Sequence, residues 1–175
     1  MKKIILTVFA ASSLLLYSTP SFAISLSVGV PVSQSPKECE GTCETDSLSG
    51  YFLGVQLPFA LGLGIDSHKH KYKGDNEVTI ATTMYNVYYQ LPIPVINLIF
   101  GLGVGSQGIE GTGSEYFEKG SANQWYTSIG FPIMPLFDIH LSYRSITSKN
   151  VTYKGSGSKE DVSGTITGIG LAFNF

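Results

Sequence analysis

Between residues 78 and 109 this sequence contains no Asp, Glu, Lys or Arg. Charge gathers instead in four clusters, Lys37 to Asp46, Asp66 to Glu77, Glu110 to Lys119 and Lys149 to Asp161. Beyond residue 23 only Asp138 and Arg144 fall outside them. A water-facing antiparallel sheet carries polar and charged groups along its exposed face, so these gaps exclude an ordinary soluble sheet. A basic excess is also absent. Without Lys2 and Lys3, the 11 basic residues fall to 9 against 13 acidic ones, a net charge near −4, which is no footprint for nucleic acid. Cysteine is limited to Cys39 and Cys43, and a C-x3-C pair with no second pair nearby argues against a metal site. The apolar run Ile4 to Tyr17 is too short and wrongly flanked for a membrane-spanning helix.

What that run does fit is export. Lys2 and Lys3 precede it, and Ser21-Phe22-Ala23 follows as a small-x-small cleavage site, so residues 1–23 read as a secretory signal peptide. No cysteine follows the cleavage point, which excludes a lipoprotein anchor there. The mature chain, 24–175, suits one domain.

That domain alternates with period two. Eight segments, at 24–32, 48–57, 61–71, 78–91, 95–107, 122–132, 136–148 and 162–175, place large apolar residues on one face. Examples are Leu53, Val55 and Leu57 in the second and Phe100, Leu102 and Val104 in the fifth. The opposite face is small or polar, as with Gly101, Gly103 and Gly105, or Asn86 and Gln90. Greasy outside with small or polar inside is the inverse of a soluble barrel.

The connections alternate as well. Three are short, proline-bearing and uncharged, at 57–60, 91–94 and 132–135. Four are long and charged, at about 33–47, 72–77, 108–121 and 149–161. Short turns on one rim and long loops on the other characterise outer-membrane barrels, where the short turns are periplasmic. An open edge in lipid would leave backbone groups unpaired at several kcal/mol each, so the sheet must close. The expected fold is therefore all-β: an eight-stranded, antiparallel, up-and-down transmembrane β-barrel. Both termini would be periplasmic and the long loops extracellular, with aromatic girdles of Phe59, Tyr89, Phe131, Phe137 and Phe175 on the turn side and Tyr51, Trp125 and Tyr143 on the other.

With these segments in place, the sequence resembles the small eight-stranded outer-membrane barrels that include OmpX, Ail and the barrel domain of OmpA. The residues carrying the likeness are the turn Leu91-Pro-Ile-Pro-Val95, the strand Gly101-x-Gly103-x-Gly105 and the terminal Phe175. The resemblance implies a chain embedded in outer-membrane lipid and lipopolysaccharide. It also implies that Phe173 and Phe175 act as the signal read by the barrel assembly machinery, and that surface loops meet an extracellular or host ligand. Unlike OmpA, no peptidoglycan-binding domain is expected after the barrel.

The chemistry-bearing residues are few. Asp138, His140, Ser142 and Arg144 share one face of the seventh segment, and parity turns them inward. Asp66 and His68 point inward from the third, so a paired lumen network of Asp66, His68, Asp138, His140, Ser142 and Arg144 is expected, with Asp66 as partner of Arg144. His140-Leu-Ser142 also resembles the His-x-Ser of PagL-type lipid A deacylases, where the two serve as base and nucleophile beside a Glu. An inward pair cannot meet a lipid ester in the bilayer, and Glu160, the nearest later carboxylate, sits at a loop end. His68 and His70 lack a third ligand and read as a solvated rim. Cys39-Glu-Gly-Thr-Cys43 reads as a disulfide-stapled loop tip. Neither a metal nor a cofactor is expected, and the leading functional reading is a non-enzymatic surface or envelope protein, with a lipid A-modifying enzyme or a narrow pore as alternatives.

Overall fold

The computed structural model describes residues 24–37, 45–72, 78–91, 93, 96–110, 114–134, 136–148 and 151–175. The export segment 1–23, Cys39 and Cys43, and most of the turn 91–95 lie outside the described residues. Among those described, eleven strands form, numbered in chain order. Eight close one barrel: β1 (Ser25–Pro36), β2 (Thr45–Gln56), β3 (Leu61–Tyr72), β4 (Val78–Leu91), β5 (Asn97–Glu110), β7 (Gly120–Met134), β8 (Phe137–Thr147) and β11 (Gly164–Asn174). Every neighbouring pair is antiparallel, and β1 pairs with β11 to complete the ring. Closure leaves the barrel without a free edge, as a lipid environment requires.

The outward face matches the alternation expected of it. Leu26, Val28, Leu53, Leu63, Val87, Leu102, Val104, Leu141, Ile169 and Leu171 are all exposed, while their immediate neighbours turn inward. Trp125 and Tyr143 pack together at 5.7 Å between ring centroids towards the loop side. On the turn side Phe59, Tyr89, Phe131 and Phe175 are exposed, whereas Phe137 is half-buried against Phe173, edge to face at 4.7 Å. Ser25 stands opposite Asn174, so both ends of the described barrel lie on the rim of the short turns.

Three expectations change. First, the stretches 108–121 and 149–161 are not plain loops. β5 runs on to Glu110, β7 begins at Gly120, and β6 (Phe117–Glu118), β9 (Val151–Tyr153) and β10 (Lys159–Glu160) form a second, three-stranded sheet on the loop rim. Strands of two or three residues leave too little alternation to be recognised. On it Tyr116 and Phe117 each pack against Tyr153, with tilted rings whose centroids lie 6.2 and 5.4 Å apart.

Second, proline marks more than turns. The register of β1 slips between Pro31 and Ser33, and that of β7 between Pro132 and Met134. Proline has no N–H for the ladder, and a bulge is where that loss is tolerated.

Third, the lumen is not merely small and polar. Phe52, Met84, Ala122, Ile146 and Ile166 form one buried apolar cluster, and Tyr88, Ile99 and Tyr126 another. The inward glycines make room for those rings. A Cβ at Gly62 would sit 2.0 Å from Cζ of Tyr88, and one at Gly101 would sit 2.1 Å from Cε1 of Tyr126. Registration explains it: Tyr88 lies directly opposite both Gly62 and Gly101, and Gly101 opposite Tyr126. An eight-stranded lumen is only just wide enough for its side chains, so each large ring requires an empty neighbour.

Candidate functional site

The inward faces of β3, β4, β7 and β8 meet in mid-lumen around one ion pair. Arg144 on β8 donates from Nε to Oδ2 of Asp66 on β3 at 3.0 Å, with both side chains almost fully buried. The same carboxylate oxygen accepts from Nε2 of Gln124 at 2.6 Å, and Gln124 also donates to Oδ1 of Asn86 at 2.9 Å. The guanidinium carbon lies over two aromatic rings, 3.7 Å from the centroid of Phe52 and 4.7 Å from that of Tyr126. Arginine suits this position because its flat, weakly hydrated cation can stack and donate at once. A buried charge pair survives only where further hydrogen bonds satisfy it, and Gln124 supplies one.

A second network closes the turn-side end. Asp138 Oδ2 accepts from Nδ2 of Asn97 at 2.5 Å and from Nδ2 of Asn174 at 2.9 Å, while Gln90 donates to Asn97 at 2.9 Å. His140 Nε2 stands 4.0 Å from the same oxygen, and its Nδ1 lies 3.3 Å from Oγ of Ser128. This chain of amides joins β4, β5, β8 and β11 across the barrel floor.

Between the two networks is a cavity of about 60 Å³, lined among others by Asp66, Tyr88, Tyr126, Ser128, His140 and Arg144. At roughly 10–15 Å³ per water, it has room for a few water molecules and no larger solute.

The predicted site residues therefore fall into separate groups. Asp66 and Arg144 come together. Asp138 and His140 come together on the floor with Ser128, which the sequence reading did not include. Ser142 does not pair with His140: its Oγ donates to the carbonyl of Gly168 at 3.3 Å. Both residues face the lumen.

His68 and His70 correct the solvated-rim expectation. Each is about 1 % exposed, because β3 continues to Tyr72 and keeps its inward face inside the barrel to that level. His70 Nε2 is hydrogen-bonded to Nε2 of Gln34 at 3.0 Å, and the His68 ring meets Phe52 edge to face. No group of three metal-ligating side chains occurs among the described residues. Phe52, Tyr88 and Tyr126 went unnoticed in the sequence. The available signal was their parity, since each is a bulky ring on the face that also carries the inward glycines and amides.

No family model matches this sequence, and no curated protein matches it. Solved structures do. Neisserial surface protein A superposes with a TM-score of 0.66 at 12 % identity, over 89 % of this chain and 98 % of that one. Outer membrane protein W of E. coli matches with a TM-score of 0.54 at 9 % identity, over 90 % and 100 % of the two chains. The Yersinia pestis protein Ail matches with a TM-score of 0.52 at 17 % identity, over 89 % and 100 %. The fold is that of the small eight-stranded outer-membrane barrels. At these identities the likeness extends to the backbone alone, and the ion pair, the amide floor and the cavity are features of this chain's own residues.

Proposed function

We propose that this is an exported, integral outer-membrane protein that acts through its loop face and performs no catalysis. Residues 1–23 direct export and are removed, Phe173 and Phe175 recruit the assembly machinery, and the termini and short turns face the periplasm. The four longer connections then face outward, carrying a small sheet whose aromatic cluster, Tyr116, Phe117 and Tyr153, forms a contact surface for a host or envelope partner. The observation that carries the membrane reading is the closed barrel with a continuous belt of exposed Leu, Val, Ile and aromatic side chains, far beyond what a water-soluble surface tolerates.

Two features weigh against the alternatives. A lipid A deacylase needs a nucleophile and base in reach of an acyl ester, yet Ser142 donates to a backbone carbonyl and His140 turns into the lumen. A pore needs a continuous aqueous path, and this lumen is filled by two apolar clusters and two polar networks.

An epitope inserted at Gly157 of the loop side tests the orientation. Antibody should label it on intact cells, and labelling only after permeabilisation would overturn the topology. Lipid A mass spectra from cells with and without the protein should be identical; a changed acyl pattern would instead establish an enzyme.

A further inference from the structure

Over 57–60, 91–96 and 131–137, the three short turns with the strand ends that flank them, the sequence holds no polar or charged side chain. A turn that stands in water is usually built from Gly, Asn, Asp and Ser, which suit tight backbone geometry or hydrogen-bond to it. Here Leu57, Phe59, Ile93, Ile133, Met134 and Leu136 are exposed at the rim instead. The backbone is equally dry. Pro58, Pro92, Pro94, Pro132 and Pro135 have no N–H to satisfy. The N–H groups of Leu57 and Ile93 donate to the carbonyls of Leu61 and Leu91, at 2.7 and 2.9 Å. Turn carbonyls are paired as well: Ala60 accepts from the N–H of Gln90 at 2.8 Å, and Leu136 from that of Asn174 at 3.0 Å.

The height of the apolar wall says what covers this rim. On β4, β5 and β8 the outward apolar residues run from Tyr85 to Leu91, Leu98 to Val104 and Phe137 to Tyr143. Each run rises over six residues, about 20 Å of strand at ~3.3 Å per residue, or about 15 Å along the membrane normal at a tilt of roughly 40°. An outer-membrane barrel presents an apolar band about 25 Å tall. The loop side cannot supply the rest, because the next outward residues there are Thr83, Ser106 and Ser145. That upper wall also carries polar pairs, Ser33 Oγ with Thr167 Oγ1 at 2.7 Å and Lys69 with Glu110 at 2.6 Å. The turn side, by contrast, continues apolar without a break. Two further residues, such as Phe59 beyond Leu57 or Ile93 beyond Leu91, add roughly 5 Å, and local thinning of the bilayer covers the remainder. Aromatic chemistry agrees. Tyr51, Tyr85, Trp125 and Tyr143 at the upper edge of the wall have polar handles suited to an interface, whereas the turns carry Phe59 and aliphatic side chains without one.

We infer that the three short turns are themselves a lipid-contact surface, immersed in the periplasmic leaflet down to its headgroup boundary. The occupant of the apolar rim is the phospholipid of that leaflet, because its contact is continuous with the wall and the wall alone is too short. The barrel is therefore seated low. Its loop-side wall of Ser, Thr, Lys and Glu stands clear of hydrocarbon and is open to water from the side. This inference rests on the outer-membrane reading above and sets the position of the membrane along the barrel axis.

The test is depth-dependent fluorescence quenching of the barrel folded into pure phosphatidylcholine vesicles, where no protein partner can cover the rim. In a Cys39→Ser/Cys43→Ser background, an environment-sensitive dye is attached singly at Phe59→Cys, Ile133→Cys, Leu102→Cys or Thr147→Cys. Lipids brominated in their acyl chains should quench the dye at 59, 133 and 102 severalfold more than the dye at 147. Iodide present on both sides of the membrane should do the reverse. Iodide quenching at 59 and 133 equal to that at 147 would overturn the inference and leave the rim to a periplasmic protein. A charge scan checks the same boundary without a dye. Ile133→Lys should lower the folded fraction in vesicles severalfold while Thr147→Lys leaves it unchanged, and equal effects would again overturn the seating. Leu102 separates the two readings: quenching by bromolipid at 102 but not at the turns defeats the low seating only, whereas none at 102 defeats the outer-membrane reading itself.

Discussion

Along β3, Leu61, Leu63 and Ile65 each leave about half their surface uncovered, while Gly62 and Asp66 on the other face are buried. The same strand thus obeys two rules. On the wall, side chains meet lipid, and any apolar residue of moderate size serves. In the lumen, each side chain has named partners: Gly62 lies beneath the Tyr88 ring, and Asp66 holds Arg144 and Gln124. Wall positions are constrained by polarity, and lumen positions by shape and by the particular groups that stand opposite them.

The sharpest break of that contrast is at the ion pair. Arg144→Ala leaves Asp66 buried without its cation and should cost about 3–5 kcal/mol, read as a fall in the urea midpoint of the barrel folded in lipid vesicles. The double change Arg144→Met/Asp66→Leu removes both charges and should recover most of that loss. An unchanged midpoint for Arg144→Ala would show that the lumen pair is not holding the barrel together. On the wall the corresponding insult is a charge in lipid. Leu102, which is 70 % exposed, should lose roughly 2–4 kcal/mol as Leu102→Arg in the same vesicles and well under 1 kcal/mol as Leu102→Val. If the two replacements cost the same, the outward face does not lie in hydrocarbon.

These two rules also decide what could be read in the sequence. The wall was legible because lipid imposes one condition on each outward residue, and a period of two with charge excluded records it directly. The Asp66–Arg144 contact followed from parity and from the need to neutralise an inward charge. What stayed hidden depends on register. Tyr88 opposite Gly62 and Gly101, and Ser128 beside His140, are pairings between strands, and a single sequence does not state how far each strand is slid against the next. The second sheet was hidden for a different reason, since β6, β9 and β10 are too short to show any period. His70 was misread because its neighbours Lys69 and Lys71 are charged, which suggested water on both sides of the strand rather than on one.

Glycines sharpen the comparison further, because the two faces use them differently. At Gly62 a new methyl would meet the stiff ring of Tyr88, while at Gly108 it would meet the flexible stem of Lys119. Gly62→Ala should therefore cost about 1–3 kcal/mol by overpacking, and Gly108→Ala should be close to neutral after the lysine swings aside. Adding Tyr88→Ala to Gly62→Ala should give a double variant better than the sum of the single losses. Strict additivity in that cycle would mean that ring and glycine are not coupled.

A small effect of the opposite sign lies where the two faces meet, at the turn between β2 and β3. Leu57 donates its N–H to the carbonyl of Leu61 at 2.7 Å, and the backbone between them takes Phe59 and Ala60 through left-handed conformations, at φ of 83° and 64°. A β-carbon in that region costs roughly 1–2 kcal/mol, which glycine avoids. A turn chosen for backbone comfort alone would place glycine or asparagine here. Phe59 instead projects into the turn-side aromatic ring, 69 % exposed, where an interfacial aromatic gains from the boundary between hydrocarbon and headgroups. Ala60 has no such compensation. Ala60→Gly should consequently raise the urea midpoint by up to about 1 kcal/mol, part of the relief being offset by the greater freedom of glycine in the unfolded chain. Phe59→Gly should gain the same backbone relief but lose its anchor, so it should stabilise the barrel in detergent micelles more than in bilayers. Equal gains in both media would show that the strained turn is held by its own hairpin, with no contribution from the membrane interface.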